Sequence, residues 1–184
     1  RAPAHPGNAS SAAYGIGPTG TVVGESEKGA DTVAVVWLAG SAVPAELSLT
    51  GLAPPAAALG IGGSFIAGEA TVGGQRRGVL WTTAGADPAV LGTLGGPSSA
   101  AYAVSSTGLV VGEAETGGGL LRGALWVVTG GLPGAAVALA PLPGHVRSSA
   151  LAVSAAGVIA GESEAADGTV HGVRWVLDGS GNPG

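Results

Sequence analysis

One unit is written four times along this chain, and no other feature limits its fold as strongly. Ser11-Ala-Ala-Tyr-Gly-Ile-Gly-Pro-Thr-Gly-Thr-Val-Val-Gly-Glu25 aligns with Ser99-Ala-Ala-Tyr-Ala-Val-Ser-Ser-Thr-Gly-Leu-Val-Val-Gly-Glu113, and weaker copies run over 57–69 and 149–162. The tryptophans Trp37, Trp81, Trp126 and Trp175 are spaced 44, 45 and 49 apart, and the Gly-Glu pairs at Gly24, Gly68, Gly112 and Gly161 are spaced 44, 44 and 49. Two independent markers share one period. A repeat of this length means one supersecondary unit per copy, each burying its apolar face against a neighbour.

The third copy shows the unit most clearly. Short β-branched or small-residue runs over 101–105, 109–115, 122–128 and 136–142 are separated by Ser-Thr-Gly, Gly-rich and Thr-Gly-Gly-Leu-Pro-Gly turns, which predicts four short strands. Pro44, Pro54, Pro88, Pro141 and Pro143 fall in or beside the fourth run, so the fourth strand should be an outer edge that donates few ladder hydrogen bonds. Four-stranded units of about 45 residues carrying a Trp and a Gly mark form the β-propeller blade pattern. The fourth copy ends soon after Trp175, while Arg1-Ala-Pro-Ala-His-Pro-Gly resembles Leu139-Ala-Pro-Leu-Pro-Gly-His. The expectation is a single all-β domain over 1–184, a four-bladed β-propeller of four-stranded antiparallel blades. Its units cover about 10–55, 56–96, 97–144 and 145–184, the last completed by 1–9, which closes the ring and removes an open edge.

The stretch Leu91-Gly-Thr-Leu-Gly-Gly-Pro-Ser-Ser-Ala-Ala-Tyr-Ala-Val-Ser-Ser-Thr-Gly-Leu-Val-Val-Gly, followed by Ala124-Leu-Trp, resembles the HAF repeat, a predicted bacterial extracellular repeat family. The resemblance covers all four units, best in the third and weakest in the second. It implies secretion and a propeller-like fold, and next to nothing about activity. A Glu after Val-Gly or its equivalent in every copy departs from the small polar residue expected there.

Composition narrows the function classes. Of 184 residues 36 are Gly and 12 Pro, which argues against long helices, while 46% hydrophobic and 10% charged residues argue for a buried core rather than disorder. No apolar stretch approaches the roughly 18 residues of a membrane-spanning helix. Cys and Met are absent, so disulfides, thiolate metal sites and thiol nucleophiles are excluded. The net charge is −5 and Lys28 is the only lysine beside six scattered arginines, so no basic face is available for nucleic acid. The chain starts at Arg1 rather than Met, the pattern of a processed or trimmed N-terminus, consistent with export.

Seven of the eight glutamates lie in one repeated box: Glu25 and Glu27, Glu69, Glu113 and Glu115, Glu162 and Glu164. Residues i and i+2 of a strand share a face, and pseudo-symmetry would arrange Glu25, Glu69, Glu113 and Glu162 as a ring. A carboxylate ring calls for a balancing cation, so these four are candidate ligands of a hard cation such as Ca²⁺. The competing expectation is cross-strand ion pairing, with Glu113 opposite Arg122, Glu69 opposite Arg77, Glu162 opposite His171 and Glu25 opposite Val33. The same register sets Gly112 opposite Gly123, Gly68 opposite Gly78, Gly161 opposite Gly172 and Gly24 opposite Ala34. That bare patch would admit a bulky neighbour, either Tyr14, Leu59, Tyr102 and Leu151 or the tryptophans, and places the tryptophans in the core. His5 and His145 occupy corresponding exposed segments, with no metal-ligand spacing. No G-x-S-x-G elbow is present, and Gly60-Ile-Gly62-Gly63 and Gly117-Gly-Gly119 read as strand turns.

These observations point to a secreted, non-enzymatic binding or scaffolding protein that meets a protein or glycan through the loops 27–31, 72–76, 116–121 and 165–171 at one face. The alternatives are a structural subunit that self-associates or enters a larger complex, and a polysaccharide hydrolase or lyase using box carboxylates as acid and base.

Overall fold

The computed structural model describes residues 10–178 and 181–184. The described residues contain strands and turns and no helix, in four antiparallel sheets that follow one another along the chain. Sheet 1 holds β1 (Ser11–Ile16), β2 (Val22–Lys28), β3 (Asp31–Trp37) and β4 (Ala45–Glu46). Sheet 2 repeats this order with β5 (Ala53–Gly62), β6 (Phe65–Val72), β7 (Gln75–Thr82) and β8 (Ala89–Val90). Sheet 3 contains β9 (Gly95–Val104), β10 (Leu109–Thr116) and β11 (Leu121–Thr129), the last paired with both β12 (Leu132–Pro133) and β13 (Val137–Leu139). Sheet 4 has β14 (His145–Val153), β15 (Val158–Ala165) and β16 (Val170–Val176). Completion of this sheet by 1–9, the expected ring closure, lies outside the described residues.

As the proline positions require, β4, β8 and β13 are edges of two or three residues. Pro54 departs from that expectation because it lies within β5. There the ladder pairs Ala53 with Thr71 and then Ala57 with Glu69, so residues 54–56 fall in an irregularity that needs no donor from proline.

Consecutive sheets pack face to face, and the core lies between them. Val23, Ala34 and Val36 of sheet 1 meet Ala58, Ile66, Val79 and Trp81 of sheet 2. Leu80 and Leu91 meet Ala101, Val110 and Trp126 across the next interface, and Val111, Leu125 and Leu139 meet Ala150, Ile159 and Trp175 across the third. Trp37 is buried with Val33 and Val35 on the other face of sheet 1. All four indoles are thus core, and those of the last three copies are clamped to described backbone. Trp81 Nε1 donates to Ser48 O at 2.8 Å, Trp126 Nε1 to Gly92 O at 3.1 Å, and Trp175 Nε1 to Ala140 O at 2.8 Å. Each acceptor belongs to the segment that follows the outermost strand of the preceding sheet, so a single ring fills the interface and ties its rim.

The turns set a register one residue away from the expected one. Val72 pairs with Gln75 around Gly73-Gly74, both at positive φ, the two-residue geometry that matches strand twist. Lys28 pairs with Asp31 around Gly29-Ala30. In the third and fourth sheets three-residue loops end in Gly119 and Gly168, also at positive φ. Consequently Glu113 stands opposite Gly123, Glu69 opposite Gly78, Glu162 opposite Gly172 and Glu25 opposite Ala34, and the expected Glu–Arg and Gly–Gly pairs do not form. A one-residue slip moves every side chain to the other face.

The glycine of each Gly-Glu pair has a different neighbour. In every sheet the first strand carries an irregularity just beyond this point, and a Cβ on Gly24, Gly68, Gly112 or Gly161 would collide with the carbonyl oxygen of Ala12, Ala57, Ala100 or Ser149. Backbone occupies the space a side chain would need. A methyl group added to Gly172, by contrast, would meet none of the described residues within 4 Å. Gly112→Ala should therefore lower stability by about 1–3 kcal/mol, whereas Gly172→Ala should stay within about 0.5 kcal/mol of the parent. Urea denaturation of both variants checks this, and equal midpoints would contradict the glycine assignment.

Candidate functional site

The Gly-Glu boxes lie on the second strand of each sheet, one turn away from the β2–β3, β6–β7, β10–β11 and β15–β16 hairpins. The bulge on the neighbouring first strand turns Tyr14, Leu59, Tyr102 and Leu151 away from the inter-sheet cores. Tyr14 and Leu151 are about half exposed, which corrects the expectation that this set fills the glycine patch. They stand beside the glutamates instead. Tyr14 Oη donates to Glu25 Oε1 at 2.8 Å, and Tyr102 hydrogen-bonds Glu113.

Arg76 joins two of the boxes. Its Nε donates to Glu69 Oε2 at 2.7 Å, its Nη1 to Glu113 Oε1 at 3.0 Å on the next sheet, and its Nη2 to Tyr102 Oη at 3.2 Å. The guanidinium also lies 5.9 Å from the Tyr102 ring centroid, within cation–π range. Partial burial works against the charge on Arg76, but hydrogen bonds to Glu69 and Tyr102 outweigh it and raise the pKa above the ordinary arginine value. Burial, then the bond to Glu113, hold the Tyr102 phenol well above the ordinary tyrosine range, with Arg76 opposing. Tyr14 is raised in the same sense by burial and Glu25.

The arginines expected to pair with the box do other work. Arg77 Nη2 donates to Leu91 O at 2.9 Å and Arg122 Nη1 to Val146 O, because the register places both opposite Ala70 and Ala114, one residue beyond the glutamates. They fasten backbone rather than balance carboxylates. Of the four candidate cation ligands, Glu69 and Glu113 share Arg76, Glu25 takes Tyr14, and Glu162 is exposed without an ion pair. Among the described residues no group of three or more His, Asp or Glu side chains is placed to hold a metal ion.

The gap between sheets 3 and 4 is arranged differently. Arg76 lies five residues before Trp81, and the corresponding position before Trp126 is Leu121. No guanidinium reaches from there to Glu162. A cleft of about 280 Å³ opens instead, lined by Glu113, Glu162 and Glu164, by Arg147, and by Tyr102, Leu121 and Leu151. Arg147 is exposed and stands opposite Glu164 in the ladder, but the two form no ion pair. A smaller hollow of about 140 Å³ beside Glu25 and Glu27 has Thr32 at the same repeat position.

Sequence reasoning missed the bridging role of Arg76, although its repeat position holds Thr32, Leu121 and Val170 in the other copies and so marks it as the odd member. It also missed the approach of His145 to His171, which lie 26 residues apart on β14 and β16. His5 lies outside the described residues. Compared with models of known protein families and with curated proteins, the chain matches none.

Because the fold favours the protonated phenols, their contribution to stability is complete below about pH 10 and is lost as pH rises through the elevated folded values. Tyrosinate absorbance of the native chain should appear at higher pH than in the denatured chain, with Tyr102→Phe removing the later of the two steps. Coincident native and denatured curves would contradict the hydrogen bonding and partial burial of these phenols.

Proposed function

We propose that this chain is a non-enzymatic binding protein, a secreted array of propeller-type blades, whose cleft between sheets 3 and 4 accepts a cationic side chain of a protein partner. One observation carries the reading: between sheets 2 and 3 Glu69, Glu113 and Tyr102 enclose the guanidinium of Arg76, while in the next gap Glu113 and Glu162 repeat the carboxylates, Leu151 stands at the tyrosine position and Leu121 at that of the arginine. An external guanidinium there would meet carboxylates of both sheets, with Leu121 and Leu151 as apolar walls for its stem. The secretion in this reading comes from the resemblance of the repeats to the extracellular HAF family, and the blade assignment from the successive packing of four equivalent antiparallel sheets.

Catalysis is a weaker account of the same carboxylates. The box recurs in every copy, whereas general acid–base chemistry needs two carboxyls in different environments. What differs among copies is the presence or absence of a charge partner, which is a binding property.

The test is calorimetric titration with an N-acetyl, C-amidated arginine peptide and its citrulline analogue. Two or three charge-assisted hydrogen bonds of about 1.5–3 kcal/mol each, less an association cost of at least about 4 kcal/mol, give millimolar or weaker binding for the single side chain. The citrulline peptide should bind at least tenfold more weakly, as should the arginine peptide to Glu162→Gln. Leu121→Arg should fill the cleft from within and abolish binding. Equal affinity for the two peptides, or full binding by Leu121→Arg, would overturn the reading, and displacement of the peptide by Ca²⁺ would assign the cleft to a hard cation.

A further inference from the structure

His145 and His171 flank β15 from its two sides. His145 opens β14 opposite Ala165, and His171 lies on β16 opposite Ser163, so both imidazoles stand over the same face of the middle strand. His145 Nε2 and His171 Nδ1 face each other at 3.4 Å, with ring centroids 5.2 Å apart and planes inclined by 38°. At that separation a proton on either of the two nitrogens gives an N–H···N hydrogen bond to the other. The rings are tilted rather than stacked. Two nitrogens bound to a tetrahedral ion at metal–nitrogen distances of about 2.0–2.1 Å are about 3.3 Å apart, which is the spacing found here. His145 Nδ1 is buried without a hydrogen-bond partner, so Nε2, aimed at His171, is the ring's one working nitrogen.

We propose that His145 Nε2 and His171 Nδ1 form a two-point site for a borderline divalent transition-metal ion of the Zn²⁺ class, which ties β14 to β16 across β15. Imidazole nitrogen selects Zn²⁺, Ni²⁺ or Cu²⁺ over the hard cations, and with Cys and Met absent histidine is the softest ligand in the chain. Since no third His, Asp or Glu joins the pair among the described residues, water completes the coordination. The site is therefore open. Sheet 4 is the sheet with three strands among the described residues, and an ion linking its first strand to its last would brace it where the others carry an outer strand. This inference is independent of the carboxylate cleft.

The experiment uses the full chain without an affinity tag, stripped with chelator and titrated with ZnCl₂ by calorimetry, with thermal unfolding in parallel. The expected result is saturable one-to-one binding and a rise in Tm, with His145→Gln and His171→Gln each weakening affinity at least tenfold. His5→Gln should leave affinity intact, and Ca²⁺ should neither bind there nor compete. His171 is exposed, so His171→Gln should keep the metal-free Tm of the parent and separate lost ligation from lost folding. Co²⁺ in place of Zn²⁺ should give the absorption of tetrahedral nitrogen–oxygen coordination. Absence of saturable Zn²⁺ binding, or binding that survives His145→Gln and His171→Gln combined, overturns the proposal, as does loss of binding in His5→Gln alone.

Discussion

The indoles of the last three repeats, wedged between neighbouring sheets and hydrogen-bonded to the rim of the preceding one, are the contact on which the rest of the structure depends. A four-stranded sheet with one short edge strand cannot shield both of its faces, and many side chains between these sheets are small, among them Ala58, Ala67, Ala101, Ala114, Ala124 and Ala150. Small residues bring backbones close but bury little area. Trp81, Trp126 and Trp175 supply the bulk, and their Nε1–H bonds to Ser48, Gly92 and Ala140 fix each sheet against its predecessor. The same close approach makes glycine obligatory beside the first-strand bulge, where Ala12, Ala57, Ala100 and Ser149 project a carbonyl into the neighbouring strand.

From that packing follows the geometry of the glutamate boxes. The bulge that presses a carbonyl toward Gly112 also lifts Tyr102 out of the core and sets it beside Glu113. Carboxylates from adjacent sheets then lie within reach of one side chain, as Arg76 shows by bridging Glu69 and Glu113. Structure and recognition use the same repeat positions, so Arg76 with Tyr102 in one junction, and Leu121 with Leu151 in the next, separate an internally closed junction from an open cleft.

Much of the architecture was legible in the residues. The four successive antiparallel sheets, the short outer strand of the first three and the buried tryptophans follow from spacing, proline placement and side-chain size. The register did not. It depends on whether Gly73-Gly74 and Gly117-Gly-Gly119 close two- or three-residue turns, which the local sequence leaves undecided, and a shift of one residue moved Arg77 and Arg122 off the glutamates. The partner of Glu69 and Glu113 escaped notice for another reason, since a bond between sheets requires knowing which faces meet. His145 and His171 were hidden in the same way, because they meet over an intervening strand.

The central claim is that the indoles lock each sheet onto the one before it, and hydrogen exchange at the indole nitrogens measures this directly. Trp81, Trp126 and Trp175 Nε1–H should exchange with protection comparable to that of the central backbone amides of β6, β10 and β15. Indole protons exchanging as fast as those of free tryptophan, while those amides stay protected, would show sheets that form without being clamped and would contradict the account.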